Sequence, residues 1–230
     1  MEAIILAGGF GTRLRESVPN LPKPMAPVAG RPFLEYVLDK FVVGGITEIT
    51  LSVGYQADVI INHFGHQFKG IPIRYSKETE PLGTGGGIVH ALKKGSNKPV
   101  LIVNGDTLLD IDYKVLIDWY EKSQSEISMV LRKMSDVSRY GAVNISENKV
   151  IGFTEKGKAA EGYINAGVYF LKPEVFREYD LSKQFSFESD FLQKYCSVLM
   201  PMAFLTEEYF IDIGIPEDYQ RAQVEFPSLI

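Results

Sequence analysis

The sequence predicts an α/β fold, a three-layer sandwich in which a mostly parallel central sheet carries an antiparallel extension. Three observations predict it. Residues 3–7 (AIILA) and 99–104 (PVLIVN) are short, nearly all-apolar runs, as expected of strands buried on both faces of a parallel sheet. Strand-like and helix-like patterns alternate between these two runs, which argues for crossover units. From residue 126 onward the strand patterns follow one another closely, as in antiparallel pairing.

Residues 3–7 run straight into Gly8, Gly9 and Gly11, where the backbone can turn sharply and press its N–H groups against a ligand. Arg31-Pro32 opens a helical pattern with Phe33, Leu34, Val37, Leu38, Phe41 and Val42 on one face, and Gly44-Gly45 stops it. Residues 47–53 read as a second strand, 57–64 as a short helix ending at Gly65, and 71–76 as a third strand. Residues 77–87 then form a loop ending in Gly85-Gly86-Gly87, and a helix follows from about 88 to 94. Glycines near a helix start disfavour the helix, and close approach of a flat ligand to the backbone would explain them. After the strand at 99–104 comes a helix at 113–122, then strands at 127–131, 141–145, 150–154 and 163–171, two of them joined by the turn at 146–149. Residues 173–179 and 187–196 read as helices. Near the end an apolar strand delivers Asp212, Gly214 turns the chain, and Pro216 starts the last helix. No linker, charge block or internal repeat separates the halves 1–125 and 126–230, so residues 1–230 are expected to form one domain on one sheet.

Composition excludes several classes of function. The chain is 45% hydrophobic and 23% charged with a net charge of −5, and it lacks the basic stripe of a nucleic-acid binder. The single cysteine, Cys196, cannot form an internal disulfide and fits a reducing compartment. The opening apolar run is too short for a signal peptide, and no run of eighteen apolar residues occurs. A cytoplasmic protein with no membrane partner is the expectation, and exposed apolar residues in the second half would be compatible with a homodimer.

Positive charge is instead local. Thr12, Arg13, Arg15 and Lys23, the last held between Pro22 and Pro24, follow the glycine turn. Exposed backbone donors followed by cations make a site for a polyanion carrying phosphates. It is not a P-loop, because no Gly-x-x-x-x-Gly-Lys-Ser/Thr run exists, nor a dinucleotide fingerprint, because Leu14 stands where a third glycine is needed. Asp106 lies just past the strand at 99–104, at the rim where α/β sheets place ligands. Asp110 and Asp112 form a rival D-x-D pair, but both sit beside a helix start where carboxylates cap.

The run Leu6-Ala7-Gly8-Gly9-x-Gly11-Thr12-Arg13-Leu14, with Pro22-Lys23-Pro24 downstream, resembles the signature of the sugar-1-phosphate nucleotidyltransferases. The segment from Asp212 to Tyr219 is similar to that family's Asp-Ile-Gly-Thr-Pro-Glu-Asp-Tyr, with Ile215 in place of threonine. The resemblance covers essentially the whole chain. It implies a Rossmann-like sheet of the nucleotide-diphospho-sugar transferase fold, a nucleotide-binding first half and a sugar-phosphate-binding second half. It further implies that Leu6, Ala7, Gly8, Gly9, Gly11 and Thr12 bind the nucleotide, and that Arg13 and Lys23 are catalytic. Leu82, Gly83 and Thr84 would form the base pocket with Glu78 and Glu80 as acceptors. Asn104, Tyr140, Gly141, Glu155, Lys156 and Asn165 would hold the sugar phosphate, and Asp106 with Asp212 would hold Mg²⁺. The substrates implied are a nucleoside triphosphate and a sugar 1-phosphate. The wording of residues 8–36 is most similar to family members that use GTP and a heptose 1-phosphate to make GDP-heptose for bacterial surface polysaccharide. The near alternative is a uridylyl- or thymidylyltransferase for a hexose or amino-sugar phosphate. A metal-dependent glycosyltransferase built on Asp110 and Asp112, or a non-catalytic nucleotide-sugar sensor, are the readings from other classes. Because the attacking phosphate is already ionised, no histidine base is needed, and His63, His66 and His90 are expected to pack or to face solvent.

Overall fold

The structure is a computed structural model describing all residues except 10, 12, 15, 16, 96, 156, 158–160 and 230. In chain order the first half comprises β1 (Glu2–Leu6), β2 (Pro27–Val28), β3 (Arg31–Pro32), α1 (Phe33–Val43), β4 (Glu48–Val53), α2 (Ala57–Phe64), β5 (Gln67–Phe68), β6 (Ile71–Lys77), α3 (Gly83–Leu92), β7 (Val100–Asn104), β8 (Thr107–Leu109) and α4 (Tyr113–Ser123). The second half adds β9 (Ile127–Met134), β10 (Ala142–Ser146), β11 (Lys149–Thr154), β12 (Gly162–Leu171), α5 (Cys196–Leu199), β13 (Met202–Thr206), β14 (Phe210–Asp212) and α6 (Pro216–Leu229).

One ten-stranded sheet runs through both halves in the order β10-β11-β13-β9-β12-β7-β1-β4-β6-β5. Strands β7, β1, β4 and β6 are mutually parallel, and β12 joins them antiparallel to β7. The alternation of β strands explains the three layers. Ala3, Ile5, Leu101 and Val103 face one core with α1, α4 and α6, whereas Ile4, Val100 and Ile102 face the other with α3. Both faces are buried, which is why these strands read as unbroken apolar runs. Register then sets the position of the site. Leu6 pairs with Ser52 on one side and with Asn104 on the other, so the carboxyl ends of β1, β4 and β7 finish at one edge. Among the described residues no helix is long and apolar enough to cross a membrane.

Three local expectations need correction. Helix α3 starts at Gly83 rather than near residue 88, so its glycines lie inside it. Protein packing accounts for two of them: a Cβ on Gly85 would lie 2.1 Å from the Phe185 ring, and one on Gly86 would lie 2.5 Å from the Lys183 carbonyl oxygen. The amide N–H of Gly85 donates to the Phe185 carbonyl at 3.0 Å, so a strap from the second half is laid directly against this helix. Gly85→Ala is accordingly expected to destabilise the fold by about 1–3 kcal/mol through overpacking, measured as a lower urea midpoint with an unchanged slope. Residues 173–176 form a single 3₁₀ turn rather than a helix through 179, and residues 187–193 form a π-helix that gives way to the short α5. The wider π spacing still buries Phe187, Phe191 and Leu192, which is why its apolar pattern reads as ordinary helix.

Candidate active site

A cavity of about 810 Å³ opens at the carboxyl edge of the parallel strands. Its floor is the chain leaving β1: Leu6, Ala7, Gly8, Gly9 and Gly11 line it, with Arg13 on the wall. The turn after β6 supplies Glu78, Glu80, Gly83 and Thr84, and β7 supplies Asn104 and, just beyond, Asp106. Lys23 and Asp212 complete it.

Lys23 is delivered by a 3₁₀ turn, Lys23–Met25, entered through Pro22 and containing Pro24. The prolines preset the backbone, so the lysine stem leaves in one direction. Asp106 and Asp212 are far apart in sequence and meet for a simple reason. Strands β8 and β14 form a two-stranded ribbon in which Asp212 pairs with Thr107, and the Ile213 N–H donates to the Asp106 carbonyl at 3.1 Å. The Lys23 ammonium donates to Asp106 Oδ2 at 2.5 Å and reaches Asp212 Oδ1 at 3.5 Å. Asp212 Oδ1 also accepts the Gly214 N–H at 2.7 Å.

The cluster is electrostatically tight. Burial disfavours the Lys23 ammonium, yet the charges of Asp106 and Asp212 outweigh it, so the lysine is held above its ordinary pKa. Asp212 is pushed above the usual carboxylate range, first by burial and then by the neighbouring Asp106 charge, with Lys23 opposing both. One cation therefore does not fully satisfy two partly buried carboxylates. Asn104 presents a second unmet need: its buried Oδ1 has no hydrogen-bond partner among the described residues.

The remaining expected residues are placed as follows. Glu78 accepts the Leu82 N–H at 3.1 Å and the Ser52 hydroxyl at 3.3 Å, so it shapes the turn that it lines. Glu80 is paired with Lys183. Leu82 is buried behind the turn. Tyr140 and Gly141 both donate backbone N–H groups to Val137 O, and the Tyr140 ring lies edge-on to Phe210. Neither these two nor Leu82, exposed Glu155 or Asn165 is among the described residues lining the cavity. Thr12 and Lys156 lie outside the described residues, as does Arg15. The lining also includes Tyr55 from the turn after β4, Gln184 from the strap, and Gly214. Tyr55 was discoverable from its place at the end of a parallel strand. Gln184 carried no local signal.

The D-x-D pair is spent elsewhere. Asp110 is paired with Lys40, and Asp112 caps α4 by accepting the N–H groups of Lys114 at 2.9 Å and Val115 at 3.3 Å. Asp112→Ala is expected to cost about 1 kcal/mol of stability in a denaturant titration and to leave turnover unchanged.

The family described as nucleotidyl transferase matches residues 2–228. This chain belongs to that family. Among nucleotidyl transferases it is 44% identical to the D-glycero-alpha-D-manno-heptose 1-phosphate guanylyltransferase of Aneurinibacillus thermoaerophilus, over 100% of both chains. The protein of the same name from Campylobacter jejuni is 45% identical over 95% of this chain and 97% of its own. The solved structure of HddC from Yersinia pseudotuberculosis complexed with GMP-PN superimposes with a TM-score of 0.87 at 38% identity, covering 98% of this chain and 99% of that one. The Rossmann-like α/β expectation is thereby borne out.

Proposed function

We propose that this nucleotidyl transferase is a guanylyltransferase that joins GMP from GTP to D-glycero-α-D-manno-heptose 1-phosphate, giving GDP-heptose and pyrophosphate. The observation that carries the reaction class is the convergence of Lys23, Asp106 and Asp212 beside the glycine turn in one cavity. The choice of base and sugar rests on the names of the two bacterial relatives and on the GMP-PN held by HddC.

In this mechanism Arg13 and the N–H groups of Gly8, Gly9 and Gly11 hold the β- and γ-phosphates, and Lys23 bridges the α-phosphate and the incoming phosphate. The turn carrying Glu78, Glu80, Gly83 and Thr84 takes the base, while Asn104 offers its buried oxygen to a sugar hydroxyl. A sugar-phosphate oxygen attacks the α-phosphorus in line. The bond from that phosphorus to the β-bridging oxygen breaks, and pyrophosphate leaves with the electron pair. The nucleophile is already ionised, so rate comes from alignment and charge stabilisation rather than from a base. Asp106 and Asp212 suit Mg²⁺, which prefers one or two carboxylates plus substrate phosphates, since both already converge on a single cation. Mg²⁺ held there supplies charge screening for the triphosphate.

Incubation with Mg²⁺, each nucleoside triphosphate in turn and a panel of sugar 1-phosphates, followed by pyrophosphate release, tests the proposal. GTP with the heptose phosphate is expected to turn over fastest. Preference for UTP or dTTP with a hexose phosphate would replace the substrate assignment, and no release from any pair would overturn the reaction class.

A further inference from the structure

Glu188, on the π-helix Phe187–Gln193, stands outside the cavity lining yet collects hydrogen bonds from both sides of the site. On the nucleotide side, the Phe187 N–H donates to Thr84 Oγ1 at 2.8 Å, and the Thr84 hydroxyl donates to Glu188 Oε2 at 2.8 Å. On the other side, Asn165 Nδ2 donates to the Tyr169 hydroxyl at 2.7 Å, which donates in turn to Glu188 Oε1 at 3.3 Å. Every donor points toward the carboxylate, so each hydroxyl in the chain accepts at one face and donates at the other.

The Asn165 arm stops short of the cavity and reaches it only through Gly167, which packs against the lining residue Asn104. Asn165 Oδ1 accepts the Gly167 N–H at 3.1 Å, and the pairing of β12 with β9 shifts register between Asn165 and Tyr169. Such irregularities re-aim a strand beside a site. At this one Gly167 has a φ of +70° and lies so close to Asn104 that a Cβ would sit 2.7 Å from Asn104 Nδ2. Asn165 therefore spends one polar end on the Gly167 backbone beside Asn104 and the other on the Tyr169 hydroxyl.

We propose that Glu188 is a positioning residue that fixes the Gly83–Thr84 turn and the Asn104-backing bulge of β12 relative to each other, touching neither substrate. Only a carboxylate does this. It accepts at two oxygens, whereas a glutamine offers one acceptor and one NH₂, and the Tyr169 or Thr84 arm would then face a donor. Burial holds the Tyr169 phenol well above its usual pKa, so its hydroxyl keeps the proton that this arm needs.

The kinetic part of the test rests on the guanylyltransferase reading, and amide hydrogen exchange on the substrate-free protein does not. Glu188→Gln is expected to raise KM for both GTP and the sugar phosphate by about tenfold while kcat holds within about threefold. Tyr169→Phe, which severs one arm only, is expected to raise KM for the sugar phosphate and to leave KM for GTP within about twofold. In exchange, Glu188→Gln should speed the amides of Gly85, Gly86 and Gly167 together, and Tyr169→Phe only that of Gly167. Unchanged KM values in folded Glu188→Gln, or faster exchange confined to residues 187–193, would overturn the proposal. If Glu188→Gln does not fold, Tyr169→Phe decides: an unchanged sugar-phosphate KM and an unchanged Gly167 amide would overturn it. A wild-type protein that releases no pyrophosphate would instead refute the guanylyltransferase reading, with the exchange comparison still deciding the role of Glu188.

Discussion

Lys23→Met is expected to lower kcat for pyrophosphate release by about 100–1,000-fold, the usual effect of deleting one preorganised charge at a developing anion. Methionine keeps an unbranched stem of similar length without the charge, so the loss isolates the ammonium. The substitution also strands Asp106 and Asp212 beside each other. Their side chains are 33% and 35% exposed, so solvent softens the repulsion, and a cost of about 1–2 kcal/mol is expected. That cost is removable. Added Mg²⁺ should raise the Tm of Lys23→Met more than that of the wild type, because in the variant the ion no longer competes with a built-in cation. Normal turnover in the variant would overturn the assignment of Lys23, and an equal Mg²⁺ response in both proteins would overturn the shared carboxylate site.

Asp212→Asn is expected to lower kcat by about 100-fold or more and to raise the Mg²⁺ concentration needed for half-maximal rate. Stability should move the other way. Burial and the Asp106 charge raise the Asp212 pKa above its ordinary value of 3.8, so the folded state binds that proton more tightly than the unfolded chain does. The sign follows: stability associated with this group is present at low pH and is lost as pH rises through the folded pKa. The neutral amide escapes that loss and still accepts from the Gly214 N–H. The variant should therefore match the wild type in denaturant at about pH 4 and exceed it near neutrality. Activity lost while stability is gained marks a group kept for chemistry at the expense of the fold. A parallel fall in both would assign Asp212 a structural role instead.

What the amino-acid sequence disclosed was local. The β1 run, its glycine turn, the β7 run ending before Asp106 and the apolar strand ending at Asp212 each announce themselves within a dozen residues, and all four meet at the cavity. The capping role of Asp112 was legible for the same reason, since a carboxylate directly before an amphipathic helix has few other duties. Long-range packing was not legible. The glycines of α3 look like a ligand's footprint until Phe185, a hundred residues later, is seen filling the space. Gln184 reaches the cavity because of the strap it occupies, with no motif around it. On the sugar side, Tyr140, Gly141 and Asn165 were named by resemblance alone. None of the three is among the described residues lining the cavity, and Asn165 is hydrogen-bonded to Tyr169 and Gly167.

The β8–β14 ribbon has a consequence for biosynthesis. Asp106 is made about a hundred residues before Asp212, so a ribosome-bound intermediate can complete β1, β4 and β7 long before the acidic pair exists. Until then Lys23 has one counter-ion instead of two. Under the proposed mechanism, nascent copies that have not yet reached Asp212 hold half of the carboxylate pair and are expected to be idle, without any need for an inhibitor.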